Sequence, residues 1–263
     1  MQVRPPVLQS VWRMDVRTRF SAFPQQTHSH AMLTQIYEVS SPAEAQSMSA
    51  IGISHIGVLV GDGRFPREQP LAMAKRILTA ICPPSKLSAL FLSDDIALIE
   101  TWAHALKAPL VHLGAAPDLL PPRRVAELKQ RLPGSLIMRS VPVVGEESIA
   151  LARSYEGIAD VLLLDSHQVG DRQIGALGVT HDWNVSRAIV ETGRIPAILA
   201  GGLGPENVAE AIRKVQPAGV DSKTKTDRQG SHRKDIDRVR SFHELALTAF
   251  RELRGGPRAS PLQ

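Results

Sequence analysis

Two textures alternate along this chain. Short, nearly continuous apolar runs occur at 33–39, 55–60, 87–92, 110–113, 136–141, 161–165, 197–200 and 219–221. Between them lie longer segments with apolar residues every three to four positions, at 42–50, 70–80, 94–107, 119–132, 146–154, 184–192, 205–215 and 235–250. The first texture predicts strands buried on both faces, and the second predicts amphipathic helices. Ser41-Pro42 and Pro205-Glu206 supply helix starts of cap and first-turn type. Eight strands and eight helices in strict alternation predict an α/β fold, a single-domain (βα)8 TIM barrel with function at the C-terminal ends of its strands. An open doubly wound sheet is the alternative; it usually carries a glycine-rich loop after its first strand, and 38–45 contains no glycine.

Composition narrows the picture slightly. The 263 residues are 43% hydrophobic but only 4% aromatic, so the core is expected to be aliphatic. The single cysteine, Cys82, excludes an internal disulfide and a multi-cysteine metal site. No apolar run approaches the length of a membrane helix, and a cytoplasmic location is expected. The net charge of +5 resides in the ends, +3 within residues 1–30 and +2 within 251–263, so no basic face for nucleic acid is implied. Residues 1–31, with Pro5-Pro6 and scattered arginines, read as an N-terminal extension, 32–250 as the barrel and 251–263 as a tail.

Candidate chemistry follows from the strand ends. Asp165 closes the run Leu162-Leu163-Leu164 and should sit partly desolvated at the barrel mouth, with the raised pKa of a general acid. A loop-capping aspartate is the plainer alternative. His181, in Gly178-Val179-Thr180-His181, is an acid–base candidate or a surface histidine. Gly201-Gly202 after strand 7 and Lys223-Thr224-Lys225 after strand 8 occupy the loops that bind phosphate in such barrels. A solvated loop is the competing reading for the lysines. Arg139, a charge inside an apolar strand, should point into the mouth toward an anion, since burial elsewhere is costly. Arg67 is a loop cation after strand 2, and His112 either faces the barrel or is a satisfied core histidine.

Together, Leu163-Leu164-Asp165-Ser166, the loop 175–183, the run LAGGLGPENV at 199–208, and Gly219-Val220-Asp221 resemble the phosphoribosylanthranilate isomerase family. The resemblance is dense over 157–222 and in register over 33–156. It implies a (βα)8 barrel of tryptophan biosynthesis. It also implies an Amadori rearrangement of an aminoaldose phosphate to an aminoketose phosphate without metal or organic cofactor. Asp165 then matches the family acid, Gly201 and Gly202 the phosphate site, and Arg67 the arginine that meets the anthranilate carboxylate.

The departures are concentrated. The family's first strand reads K-I-C-G-I, with cysteine as the base; here it reads Gln35-Ile36-Tyr37-Glu38-Val39. Tyr37 stands in the cysteine's place and Gln35 in the lysine's. The S-S-G after strand 8 becomes Lys223-Thr224-Lys225, and His181 stands where phenylalanine is common. With Asp165 as acid, the base candidates are Glu38, His181 and Tyr37. A small phosphorylated substrate is expected, on a monomer or a homodimer. Three other readings stay open: a barrel for another phosphorylated sugar or aromatic amine, Schiff-base chemistry at Lys223 or Lys225, and a phosphosugar-binding protein without turnover.

Overall fold

A computed structural model of the chain describes residues 33–168, 170–175 and 177–255. The expected extension at 1–31 lies outside the described residues, as does most of the expected tail. Eight parallel strands close into a barrel in chain order. They are β1 (Leu33–Ile36), β2 (His55–Leu59), β3 (Lys86–Phe91), β4 (Leu110–Leu113), β5 (Leu136–Pro142), β6 (Val161–Asp165), β7 (Ala197–Leu199) and β8 (Gly219–Ser222). The helices are α1 (Pro42–Ile51), α2 (Leu71–Ala80), α3 (Ile96–Leu106), α4 (Pro122–Arg131), α5 (Glu147–Arg153), α6 (Trp183–Thr192), α7 (Val208–Val215) and α8 (Ile236–Leu253). The predicted (βα)8 barrel is therefore the observed fold.

Local signals set the boundaries. The Ser41 hydroxyl accepts from the Glu44 amide to start α1, with Pro42 in the first turn. Pro121-Pro122 delays α4 past the predicted start at 119. β1 ends at Ile36, three residues earlier than predicted. The chain nevertheless stays against its neighbours there: Tyr37 N–H donates to Ser222 O and Val39 N–H to Gly57 O. α8 continues to Leu253, past the predicted end at 250.

The two faces of the strands differ in chemistry. Outward positions are mostly aliphatic, including Ile36, Val58, Val111, Leu162 and Val220, and these pack with the helices into one core. Inward positions carry polar groups. Tyr37 Oη lies 2.5 Å from Ser88 Oγ and 2.7 Å from His112 Nδ1, and His112 Nε2 lies 2.7 Å from Ser140 Oγ. Tyr37 follows β1, which is a ladder neighbour of neither β3 nor β4, so its two bonds cross the barrel interior. Gly57 permits the arrangement, because a Cβ there would lie 2.0 Å from Tyr37 Cδ1.

Arg139 corrects an expectation. It shares the outward parity of Ile137 and Val141, so it faces the helix layer and not the mouth. It is fully buried. Its Nη1 donates to Leu113 O at 2.7 Å, its Nε to the Tyr155 hydroxyl at 3.1 Å, and its Nη2 to Leu120 O at 3.5 Å. The charge is solvated by carbonyls and a hydroxyl, a solution open to a five-donor guanidinium without any anion.

Candidate active site

β6 ends on an inward aspartate, Asp165, and β8 carries another, Asp221, one residue before its end. Asp165 is 9% exposed and Asp221 6%. Asp165 Oδ1 accepts from the Ser166 amide at 2.7 Å and its hydroxyl at 3.3 Å. Burial outweighs these donors and lifts the Asp165 carboxyl to about 7, in the direction expected of a strand-end acid. Asp221 is also raised well above its ordinary value, by burial and by the Asp165 charge, and its Oδ1 has no hydrogen-bond partner. Asp221 is paired in register with Gln35, a neutral amide, so no cation sits directly across from it on β1.

Glycines let the backbone close around this pair. Gly175, at φ 89°, covers Asp165; a Cβ there would lie 2.0 Å from Oδ2. Gly201 and Gly202 follow β7 with φ of 82° and 60°. A Cβ on Gly201 would meet His181 Nδ1 at 2.9 Å and Asp165 Oδ1 at 3.3 Å. Asn207 braces the turn: its Oδ1 accepts from Gly204 N–H at 2.9 Å and its Nδ2 donates to Gly202 O at 3.1 Å. Gly201, Gly202, Lys223, Thr224 and Lys225 line one cleft with Asp165 and Asp221. Thr224 and Lys225 are exposed and lie in a 3-10 turn, Thr224–Thr226. The structure thus brings together the acid candidate and all five phosphate candidates, Lys223 being also engaged in ion pairs at the rim.

The remaining candidates are placed differently. Tyr37 is buried, engaged by Ser88 and His112, and desolvation raises its pKa well above 10, which opposes service as a base. His112 is inward and satisfied on both ring nitrogens, and burial lowers its pKa to about 3. It stays neutral and has no free nitrogen for a ligand. His181 bonds Ser186 Oγ through Nε2 at 2.7 Å, while its buried Nδ1 is unpartnered. Burial lowers its pKa to about 4, so it is neutral at pH 7.

Glu38, Arg67 and Lys223 form an ion network at the rim. Arg67 Nε and Nη2 donate to the two Glu38 oxygens at 2.6 and 3.2 Å. Lys223 Nζ is 3.8 Å from Glu38 Oε2 and 3.2 Å from Asp227 Oδ2. Lys234, completely buried, bonds Asp227 Oδ1 at 2.5 Å. Burial opposes the Glu38 charge, but the Arg67 bonds and the charges of Lys223, Arg67 and Lys234 hold its carboxyl below the ordinary value. Lys223 is an ion-pair member between two carboxylates, which is the reverse of the environment that makes a lysine nucleophilic. Sequence reasoning did not single out Asp221, Asn207, Asp227 or Lys234. Asp221 carried the same signal as Asp165, an aspartate at the end of an apolar run, but in a strand of only four residues.

The chain has clear relatives. The family model described as N-(5'phosphoribosyl)anthranilate (PRA) isomerase matches residues 75–245, a span that begins within α2 and so excludes β1 and β2. A protein named N-(5'-phosphoribosyl)anthranilate isomerase from Methanocella arvoryzae is 33% identical over 80% of this chain and 95% of its own length. One of the same name from Haloferax volcanii is 31% identical over 80% and 91%. Among solved structures, the N-(5'-phosphoribosyl)anthranilate isomerase of Pyrococcus furiosus superposes with a TM-score of 0.65 at 24% identity, over 83% of this chain and all of that one, and so agrees in fold. The chain belongs to the N-(5'-phosphoribosyl)anthranilate isomerase family, the (βα)8-barrel aldose–ketose isomerases of tryptophan biosynthesis.

Proposed function

We propose that this chain converts N-(5'-phosphoribosyl)anthranilate to its aminoketose isomer, with Asp165 and Asp221 moving the protons. One observation carries the reading: two buried inward carboxyls line a single cleft with the Gly201-Gly202 turn. Burial raises both carboxyls, Asp165 to about 7, and the charge of one opposes ionisation of the other, so the pair retains a proton into the neutral range. The singly protonated pair offers an acid and a base together.

The Asp165 carboxyl protonates the furanose ring oxygen; the C1–O bond breaks and the nitrogen lone pair forms an iminium at C1. The Asp221 carboxylate takes the C2 proton, and the C–H electron pair becomes the C1–C2 double bond of an enolamine as the iminium is neutralised. Asp221 then returns its proton to C1 while the C2 hydroxyl proton passes to Asp165. The ketone forms and both groups regain their starting states. Position supports these roles: Asp165 matches the family acid, and β8 is the ladder neighbour of β1, where the family carries its base. The phosphate is held by backbone N–H groups around Gly201-Gly202, with Thr224 and Lys225 at the rim.

The test is turnover of phosphoribosylanthranilate generated in situ, followed by loss of its fluorescence. Wild-type turnover is expected, with Asp165→Asn and Asp221→Asn each losing about 10³-fold. No turnover above the spontaneous decay of the substrate overturns the reading. A near-wild-type rate in Asp221→Asn transfers the base role to His181, whose unpartnered Nδ1 is the second proton acceptor packed against Gly201.

A further inference from the structure

Glu38 stands at a position where the family pattern has glycine, and it brings a carboxylate to the Arg67 guanidinium at the rim. The contact is a two-point fork, Nε to Oε2 and Nη2 to Oε1, the geometry in which arginine receives carboxylates. Arg67 adopts a left-handed backbone, φ 70°, rare for a side chain with a Cβ. Its side chain is 32% exposed against 10% for Glu38, so it is reachable from solvent.

The surroundings show where Glu38 can go. Lys223 Nζ is already 3.8 Å from Glu38 Oε2. Its other carboxylate partner, Asp227, is also bonded by Lys234 at 2.5 Å and does not depend on Lys223. Among the described residues the network has three cations, Arg67, Lys223 and Lys234, against two anions, Glu38 and Asp227.

We propose that Glu38 is a specificity-determining residue that occupies the Arg67 carboxylate site in the free protein, and that a ligand carboxylate enters by displacing it onto Lys223. The ligand must then compete with an internal carboxylate of the same chemistry, held at high local concentration. Its own carboxylate consequently adds less to affinity than an unoccupied arginine would give. Carboxylated ligands bind under this discount, whereas ligands without the group neither gain from Arg67 nor have to move Glu38. The inference rests on the proposed isomerase reading only for the identity of the ligand.

The test is a binding cycle by calorimetry and does not require turnover. Its probes are the aminoketose 5-phosphate carrying a 2-carboxyphenyl group on nitrogen, and the same compound with an unsubstituted phenyl group. In Glu38→Gln the carboxylated probe is expected to bind about tenfold tighter than in wild type, with the phenyl probe unchanged; tenfold corresponds to about 1.4 kcal/mol. Arg67→Met should remove the preference between probes in both backgrounds. An unchanged or reduced preference in Glu38→Gln overturns the proposal. Glu38→Ala provides the same reading if the glutamine amide itself bonds Arg67. A wild type without turnover whose preference still rises in Glu38→Gln defeats the isomerase reading alone. Normal turnover with an unchanged preference defeats the Glu38 proposal alone.

Discussion

At the scale of single residues, the site exposes the cost of keeping an acid ready. The Asp165 carboxyl is lifted from 3.8 to about 7, so between those values the folded chain holds a proton that the unfolded chain has released. The contribution of this group to stability is therefore greatest below pH 3.8 and is lost as pH rises through about 7. At about 1.4 kcal/mol per pKa unit, the deficit above pH 7 approaches roughly 4 kcal/mol. Asp165→Asn removes the titration while keeping an oxygen for the Ser166 donors. The mutant should unfold at higher denaturant than wild type at pH 8 and at about the same denaturant at pH 4; equal midpoints at both would show that the carboxyl is not held protonated by the fold. This residue was legible because an aspartate that closes an apolar barrel strand is carried to the mouth by the strand itself. Arg139 was not, because a charge inside an apolar strand does not by itself show whether it faces the mouth or the helix layer. Ile137, Arg139 and Val141 share the outward face, and the Tyr155 hydroxyl that solvates the guanidinium lies sixteen residues away.

At the scale of elements, the end of the first strand has been rebuilt. The tyrosine does not stand in the cysteine's chemical role. It bridges Ser88 of β3 and His112 of β4, and through His112 reaches Ser140 of β5. Such a chain is satisfied only when complete, since each hydroxyl or imidazole left unpaired in the interior costs about 1–3 kcal/mol. Tyr37→Cys, which restores the family residue, should destabilise the chain by about 3–5 kcal/mol through the vacated ring volume and the stranded partners, and should not raise turnover. Thermal or denaturant unfolding beside a rate measurement checks this, and a stable, faster mutant would show that the cysteine position is still chemically available. The sequence revealed that the strand had lost its base; it did not reveal what the tyrosine had gained. Ser88, His112 and Ser140 are separated from it by 51 to 103 positions, and only barrel closure makes them neighbours.

At the scale of the molecule, barrel closure puts the first and last strands into one site. Alternating textures were enough to read the barrel, because burial on both strand faces with helical connections leaves few architectures. They could not give the contacts across the β8–β1 seam, where Asp221 lies beside Gln35 and Lys223 approaches Glu38. The cleft around Gly201, Gly202, Thr224 and Lys225 belongs to β7 and β8, whereas Arg67 stands in the loop after β2. In the reaction proposed above, a substrate with phosphate at one end and carboxylate at the other spans this seam. Ribose 5-phosphate or anthranilate alone holds one side, whereas the joined aminoketose phosphate holds both, and binding of the second end becomes intramolecular. Since a ligand stabilises the fold in proportion to the logarithm of its occupancy ratio, the joined compound should raise Tm by more than the sum of the two fragments at equal concentration. Thermal shift with each fragment, both together and the joined compound decides it. A shift from ribose 5-phosphate alone that equals that of the joined compound would confine recognition to β7 and β8, and would leave the Arg67 side of the mouth without a part in binding.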